Sequence, residues 1–213
     1  MSMPAKLLTE AAGTFVFFFV IALSGHAGAL GPLVVGLGLA AMVYMGGHVS
    51  GAHYNPAISL AVLLRGKMPA TDFVPYVVAQ LLGSIVASAL AFRIMGRSFT
   101  PAPGAGVSPL AALLVEFLFT FALGLVVLNV ATSKRTQGNS YYGLAIGFTI
   151  VAAAFAGGGI SGGAFNPAVG TGPTLVNALT GHGTLSHWWL YLVGPFLGGA
   201  VAAAVFNIQE SGA

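Results

Sequence analysis

SGAHYNPA at residues 50–57 and SGGAFNPA at residues 161–168 are two copies of one unusual stretch, identical at five of eight positions. Asn is among the most favoured N-cap residues of an α-helix, and Pro is favoured at the first helical position, where its missing N–H costs no hydrogen bond. Each copy therefore predicts that a helix begins at its Pro, at Pro56 in the first copy and at Pro167 in the second.

The composition of the chain indicates a membrane protein. Of its 213 residues, 57% are hydrophobic and 5% are charged, whereas about a quarter of the residues of a soluble domain are charged. Seven basic residues against four acidic ones are too few for a nucleic-acid-binding surface. The absence of Cys excludes disulfides and thiolate metal sites. A water-soluble domain is therefore excluded, and nucleic acid is not an expected partner.

Six apolar segments are candidates to cross the membrane, because a helix of about 20 residues spans about 30 Å of hydrocarbon. They are residues 7–23, 31–45, 73–92, 110–131, 141–156 and 188–206, and the two shortest have uncharged flanks. We expect the first of them to be a membrane helix rather than a cleaved signal peptide, since no cleavage site is evident.

The positions of the basic residues predict the orientation. An even number of spans places both termini on one side of the membrane. Five basic residues then share that side, namely Lys6, Arg65, Lys67, Lys134 and Arg135, whereas Arg93 and Arg97 approach the other. Cytoplasmic loops carry the excess of Lys and Arg, so we predict that the termini are cytoplasmic.

The whole pattern of the chain occurs twice. Glu10 is the fourth residue of LLTE and Glu116 the fourth residue of LLVE, and each opens a series of helix, helix, Asn-Pro-Ala and helix. Three spans per half is an odd number, so the halves enter the membrane from opposite faces, as in inverted repeats. We predict one domain over residues 1–213, with repeats of about 1–99 and 109–213. The predicted fold is an all-α membrane protein with six transmembrane helices and two re-entrant half-helices.

The two half-helices are expected to meet at the middle of the membrane. Pro56–Leu64 contains nine residues, or about 13 Å of helix, and Pro167–Leu179 is similar. We expect the Gly-rich runs before them, 46–54 and 157–165, to be irregular backbone, which is tolerated at membrane depth only inside protein or along a watery cavity. Apposed helix N-termini repel cations, and Asn amides donate hydrogen bonds to neutral molecules.

These features resemble the aquaporin (major intrinsic protein) family over the whole chain. The resemblance implies that the two motifs, Asn55-Pro56-Ala57 and Asn166-Pro167-Ala168, form the centre of a pore. It also implies a homotetramer with one pore per subunit, water and small neutral solutes as the molecules conducted, and no enzyme activity, cofactor or metal. Glu10 and Glu116 would accept hydrogen bonds from the nearby re-entrant loops; the alternative for an intramembrane carboxylate is a proton relay.

Four positions match the narrow filter of that family, namely Val35, Ala154, Gly163 and Val169. Water-selective members usually carry an aromatic residue, a His and an Arg there, so the resemblance implies a wide filter without Arg. An alternative is that Val169 turns away and that His26 or a residue of the loop 94–108 fills the space. The segment 187–195, HWWLYLVGP, is similar to the plant vacuolar-membrane subgroup.

The predicted function is a passive channel for water and small uncharged solutes such as urea, ammonia, glycerol, hydrogen peroxide or metalloid acids. A strict water channel and a non-conducting structural membrane protein are the alternatives, and a secondary transporter is a further one because transporters also use inverted repeats. His48 and His53 lie in the first Gly-rich run, where we expect backbone carbonyls to matter more than the imidazole rings.

Overall fold

A computed structural model describes residues 1–211, and this part of the chain is helical without a β-strand. Its α-helices are α1 (Met3–Leu23), α2 (Gly31–Ser50), α3 (Pro56–Leu64), α4 (Ala70–Met95), α5 (Pro109–Thr132), α6 (Tyr142–Ser161), α7 (Pro167–Leu179) and α8 (Leu190–Ser211). Six of them contain 20 residues or more, whereas α3 has nine and α7 has 13. The predicted fold class is confirmed.

Five continuous helical stretches are long and apolar enough to cross a membrane. The first, Met3–Ser50, contains both α1 and α2, joined by a 3-10 turn at Ser24–Leu30. Gly28 in this turn has φ 55°, a left-handed conformation that reverses the chain direction and that glycine adopts without a steric penalty. Counted separately, α1 and α2 give the six predicted spans.

The two halves of the chain contact each other where α2 crosses α6. A Cβ atom on Gly36 would lie 2.5 Å from the carbonyl oxygen of Gly147, and one on Gly147 would lie 2.4 Å from the oxygen of Gly36. These distances are too short for any side chain, so glycine at both positions allows the helix backbones to touch. Within each half, α1 packs on α4 and α5 packs on α8.

The Gly-rich runs are shorter than the sequence predicts. The expectation of irregular backbone over 46–54 and 157–165 is wrong for the first five residues of each run, because α2 continues to Ser50 and α6 to Ser161. Both helices end at a glycine in the left-handed conformation, Gly51 (φ 88°) and Gly162 (φ 93°), the usual stop signal of a helix. The non-helical segments that remain are the first re-entrant segment, residues 51–55, and the second, residues 162–166.

Ion pairs and charged residues collect on the side of the protein that carries both termini, called the terminus side below. Arg65 at the end of α3 pairs with Glu210 of α8 at 3.0 Å, and Lys6 of α1 pairs with Asp72 of α4 at 3.6 Å. The opposite side, called the far side, contains the turn Ser24–Leu30 and the loop between α4 and α5.

Candidate functional site: a pore through the centre of the fold

The N-termini of α3 and α7 meet through their cap residues. Asn55 Oδ1 accepts a hydrogen bond from the N–H of Ala57, and Asn166 Oδ1 accepts one from Ala168, both at 2.9 Å. Each Asn side chain also crosses to the other half: Asn55 Nδ2 donates to the oxygen of Phe165 at 3.0 Å. Asn166 Nδ2 donates to the oxygen of Tyr54 at 2.9 Å. Two hydrogen bonds between the cap regions therefore join the N-termini of the two half-helices.

This arrangement leaves one donor on each asparagine. A side-chain amide carries two N–H groups, and one of them is used by the cross-link to the opposite half. Asn55 and Asn166 both line the cavity on the far side. The second N–H of each amide is therefore available to an oxygen atom in the pore, at the point where two helix N-termini concentrate positive potential.

The re-entrant segments hold strained backbone. Tyr54, Phe165 and Ala52 have φ values of 48°, 50° and 51°, and the left-handed conformation costs a residue with a side chain roughly 1–2 kcal/mol. Such strain persists only where the surroundings over-determine the conformation. Here it turns the carbonyl groups of Tyr54 and Phe165 toward the asparagine amides that they bind.

Buried carboxylates hold both segments in this conformation. Glu10 accepts hydrogen bonds from the N–H groups of His53 and Tyr54 and from the Ser50 hydroxyl, at 2.7–3.0 Å. Glu116 accepts the equivalent bonds from Ala164, Phe165 and Ser161, at 2.6–3.0 Å. Neither carboxylate is among the residues that line the two cavities. This geometry is that of a scaffold for the loops.

Two cavities approach the asparagines from opposite sides. The far-side cavity has a volume of about 280 Å³ and extends from the turn Ser24–Leu30 to Asn55 and Asn166. The terminus-side vestibule has a volume of about 740 Å³ and is lined by Lys6, Lys67 and Lys134. Five residues line both, namely Val43, Ala52, His53, Val127 and Ile146. These five mark the junction of the cavities.

Three of the four predicted filter residues line the far-side cavity: Val35, Ala154 and Gly163. Val169 does not, and its side chain is 0% exposed within the core. The valine side chain is short, so it stays within the packed core beside α7 and does not extend into the cavity. Phe99, from the loop between α4 and α5, lines the cavity instead, and His26 is exposed outside it. The structure therefore agrees with the alternative placement of Val169.

Sequence reasoning identified two lining residues only in part. His53 lines both cavities, and the expectation that backbone carbonyls matter more than the imidazole rings in this run stays a prediction. Phe99 belongs to the loop 94–108 named in the alternative, but this loop has no periodicity from which the residue itself could be predicted. That loop is fixed by hydrogen bonds from Asn177 to Ser98 and Thr100 and from the Gly104 N–H to Ile160, contacts between residues far apart in sequence.

The sequence model named "Major intrinsic protein" matches residues 2–206. The chain belongs to the major intrinsic protein family. Nodulin-26 of Glycine max is 37% identical over 95% of this chain and 77% of its own length. Glycerol uptake facilitator protein-like 6 of Lactiplantibacillus plantarum is 35% identical over 97% of this chain and 98% of its own length. This major intrinsic protein is a passive channel for water and small solutes in a membrane.

A solved structure supports the fold independently of close sequence similarity. The aquaglyceroporin of Plasmodium falciparum superimposes with a TM-score of 0.87 at 23% identity, covering 97% of this chain and 96% of that one. Two plant relatives with different type names, NIP and TIP, have the same identity to this chain. Putative aquaporin NIP4-1 of Arabidopsis thaliana and Probable aquaporin TIP4-1 of Oryza sativa subsp. japonica are each 36% identical to it. Overall identity therefore favours neither type, and the resemblance of segment 187–195 to the vacuolar-membrane subgroup stays a prediction.

Proposed function

We propose that this major intrinsic protein conducts small uncharged solutes, such as urea, ammonia, glycerol, hydrogen peroxide or metalloid acids, together with water. The observation that carries the proposal is the far-side cavity. Within residues 1–211, no Lys, Arg, Asp or Glu lines it. A pore of this kind selects by its width and by the hydrogen-bonding groups along it, and an apolar entrance without a fixed charge admits neutral molecules of several sizes.

Small side chains at the filter support a wide pore. Val35, Ala154 and Gly163 project at most three carbon atoms each into the cavity, and Val169 is packed away from it. An Arg at position 169 would supply both bulk and charge, and its absence removes both. The name of the glycerol uptake facilitator-like relative supports the same range of solutes.

Ions are excluded at the centre of the pore in this proposal. The cap-to-cap meeting of α3 and α7 places two positive helix ends at the asparagines, and a cation there would have lost most of its hydration. A water molecule that accepts hydrogen bonds from both free amide N–H groups turns its own hydrogen atoms outward, which interrupts a proton-conducting chain of water. Neutral molecules are not repelled by the positive helix ends and have no ionic hydration to lose.

The proposal includes cytoplasmic termini and a homotetramer with one pore in each subunit. Five of the seven basic residues lie near the terminus side in the predicted topology, and cytoplasmic loops carry this excess. The family resemblance supports the tetramer. Protease protection of a C-terminal tag in sealed vesicles measures the orientation, and light scattering of the detergent-solubilised protein, corrected for bound detergent, measures the number of subunits.

A strict water channel is the second candidate, and Phe99 favours it. Phe99 lines the far-side cavity from a loop that is bonded to α6 and α7. In this second candidate the Phe99 ring narrows an entrance that the helices leave wide. The two candidates differ in whether urea and glycerol pass the ring.

Proteoliposome flux measurements separate the candidates. Under the wide-filter proposal, urea and glycerol enter wild-type vesicles faster than protein-free vesicles, and Phe99→Ala changes the urea-to-water ratio little. If wild-type vesicles pass water alone and Phe99→Ala opens them to urea, the channel is a strict water pore gated by width at Phe99. Phe155→Ala is the matched control, because Phe155 is a Phe on the outer surface of α6. Urea permeability equal to that of protein-free vesicles in both proteins rejects the wide filter.

A further inference from the structure

The terminus-side vestibule carries positive charge that its own lining does not neutralise. Three lysines line it, Lys6, Lys67 and Lys134, together with one carboxylate, Asp72. Asp72 pairs with Lys6 at 3.6 Å. Within residues 1–211, Lys67 and Lys134 form no ion pair, and both side chains are exposed. Two ammonium groups therefore remain for an anion that enters the vestibule.

The other acidic residues of the chain are held by contacts of their own. The chain has four acids. Glu10 and Glu116 are fully buried, where they accept hydrogen bonds from the re-entrant segments. Glu210 pairs with Arg65 at 3.0 Å on the terminus side. An anion that neutralises the two remaining lysines of the vestibule would therefore come from the solution.

Both lysines extend from backbone that is fixed by hydrogen bonds. The N–H of Lys67 donates to the oxygen of Val62 in α3 at 3.0 Å. Lys134 directly follows Ser133, whose hydroxyl donates to Glu210 at 2.6 Å. Because these two attachment points are fixed, a bound anion orders only the lysine side chains, and the entropy cost of binding is lower than it would be on a mobile loop.

We propose that the terminus-side vestibule binds a multivalent oxyanion such as inorganic phosphate through the ammonium groups of Lys67 and Lys134, and that the bound anion lowers water flux. Lysine binds phosphate as a point charge, and hydrogen bonds from charged donors are about twice as strong as neutral ones.

The structure also explains why such an anion would stay in the vestibule. Within the described part of the chain, no Lys or Arg lines the far-side cavity, and an unpaired charge is costly to remove from water. The anion then lies on the route of water to the five residues at which the two cavities join. Because water flux reports the binding, the proposal does not depend on the width of the far-side filter.

Phosphorus NMR measures the binding of inorganic phosphate to the purified full-length protein in a neutral detergent. The line width of the phosphate signal is followed against phosphate concentration, and chloride keeps the ionic strength constant. We expect saturable broadening in the wild type. The double substitution Lys67→Gln/Lys134→Gln should raise the dissociation constant roughly tenfold, the effect of losing two exposed ion pairs, whereas Lys67→Arg/Lys134→Arg keeps both charges and should keep the binding.

The matched control removes the same charge from the other side of the membrane. Arg93→Gln/Arg97→Gln changes two exposed residues that line neither cavity, so phosphate binding should match that of the wild type. Unchanged binding in Lys67→Gln/Lys134→Gln, or an equal loss in this control, overturns the proposal. The lysines would then be markers of membrane orientation alone.

Water permeability of phosphatidylcholine vesicles, with phosphate on both sides of the membrane, tests the effect on flux. We expect wild-type flux to fall as phosphate increases, with half of the effect at the dissociation constant measured by NMR. Flux through Lys67→Gln/Lys134→Gln should be much less sensitive to phosphate. Equal inhibition of wild-type flux by chloride at the same ionic strength, or wild-type flux that phosphate does not change, overturns the proposed block. A wild type that passes water but no urea rejects the wide filter and leaves this test intact.

Vesicles that contain the anionic lipid phosphatidylglycerol distinguish a free anion from a lipid headgroup. The two lysines line the vestibule inside the protein, so without phosphate we expect the same water flux as in phosphatidylcholine. A lower flux in these vesicles that Lys67→Gln/Lys134→Gln abolishes would mean that the lipid headgroup occupies the site, which overturns the assignment to a free oxyanion.

Discussion

The two re-entrant segments have the same backbone and different surroundings. In each, a helix ends at a left-handed glycine, a carboxylate holds the next N–H groups, and an Asn caps the following half-helix. A Tyr hydroxyl braces each one from the neighbouring helix: Tyr76 donates to the oxygen of Ser50 at 2.8 Å and Tyr191 to that of Ser161 at 2.6 Å. The shared parts are those that bring the two asparagines together.

The side chains around this shared frame differ. Beside Glu10 lie three polar residues, His53, Ser59 and Gln80. The residues that match them in the second half are Ala164, Gly170 and Pro195. The first segment lines both cavities and contributes the polar side chain of His53 to the terminus-side vestibule, whereas the second lines the far-side cavity and has the small residues Gly163 and Ala164 in the places of Ala52 and His53. The comparison teaches that the repeated frame holds the two asparagines together, whereas the unrepeated side chains make the two ends of the pore different; in the proposed function the frame excludes ions and these side chains determine which solutes pass.

The largest expected effect on stability comes from removing either of the two carboxylates, Glu10 or Glu116, which compares the two re-entrant segments directly. Glu10 has four hydrogen-bond donors, including Gln80, and Glu116 has three. Each buried donor left without an acceptor costs about 1–3 kcal/mol. We expect Glu10→Ala and Glu116→Ala each to lower the stability of the folded protein by several kcal/mol, and Glu10→Ala to lower it more. The temperature at which the purified protein loses its monodisperse peak in gel filtration measures the order.

Two further variants make this test specific. In a Gln80→Leu background the fourth donor is absent, so the difference between the two carboxylate variants should shrink. Glu210→Ala is the control for loss of a carboxylate, because Glu210 is only partly buried on the terminus side, where it accepts hydrogen bonds from Arg65 and Ser133 and, among residues 1–211, from no re-entrant segment. Equal losses in Glu10→Ala and Glu116→Ala would mean that Gln80 does not strengthen the first half.

The parts of the fold that depend on local chemistry were predictable from the sequence. Both half-helices begin and end at the predicted residues, Pro56–Leu64 and Pro167–Leu179, because an Asn cap followed by Pro acts within a few residues. The Gly-rich runs were less predictable. Gly46 lies inside α2 and is glycine because the Tyr54 side chain occupies the space that a Cβ would need, so it marks a close contact rather than a break in the helix, and that contact depends on the fold.

The lining of the pore was predictable where a side chain sits on a regular helix and unpredictable elsewhere. Val35 and Ala154 lie on α2 and α6, and both line the far-side cavity as their positions indicated. His53 lines both cavities, and its ring contacts Ser59 and Tyr76. Phe99 lines the far-side cavity because Asn177 ties down its loop. Both placements depend on contacts with other elements, which the residue pattern does not encode.

Exchanging Ala52 and Gly163 is expected to have an intermediate effect. The two residues occupy matching places and both have positive φ, 51° for Ala52 and 67° for Gly163. Ala52→Gly removes a steric penalty, whereas Gly163→Ala adds one of roughly 1–2 kcal/mol. A Cβ on Gly163 would also lie 3.1 Å from the Cα of Gly158. Thermal stability should therefore rise slightly in the first variant and fall in the second.

The same pair of variants affects the filter. Gly163→Ala adds a methyl group to the far-side cavity, so urea permeability should fall more than water permeability. Gly159→Ala is the matched control: a Cβ there meets no atom within 4 Å, and the residue lies in α6 without positive φ. This control should be neutral or slightly more stable, since Ala is the better helix former. A stabilised Gly163→Ala would contradict the strain assigned to this segment.

The smallest expected effect comes from making the first segment more like the second through Tyr54→Phe. The Tyr54 hydroxyl donates to the oxygen of Met42 at 3.0 Å, and its counterpart Phe165 has no hydroxyl and packs against Phe119 with ring centroids 5.4 Å apart. Loss of one such bond costs about 0.5–1.5 kcal/mol. We expect a small fall in thermal stability and no change in the urea-to-water ratio, because the ring fills the gap beside Gly13 and Gly46.

Tyr141→Phe is the control for this substitution, since the Tyr141 side chain is exposed and removing its hydroxyl should leave stability unchanged. A fall in urea permeability without a fall in stability in Tyr54→Phe would contradict the separation between frame and lining. The hydroxyl would then act on the solute path, although it points toward α2 in the structure. A fall in stability alone places Tyr54 with the frame, where its function is to hold the carbonyl that binds Asn166.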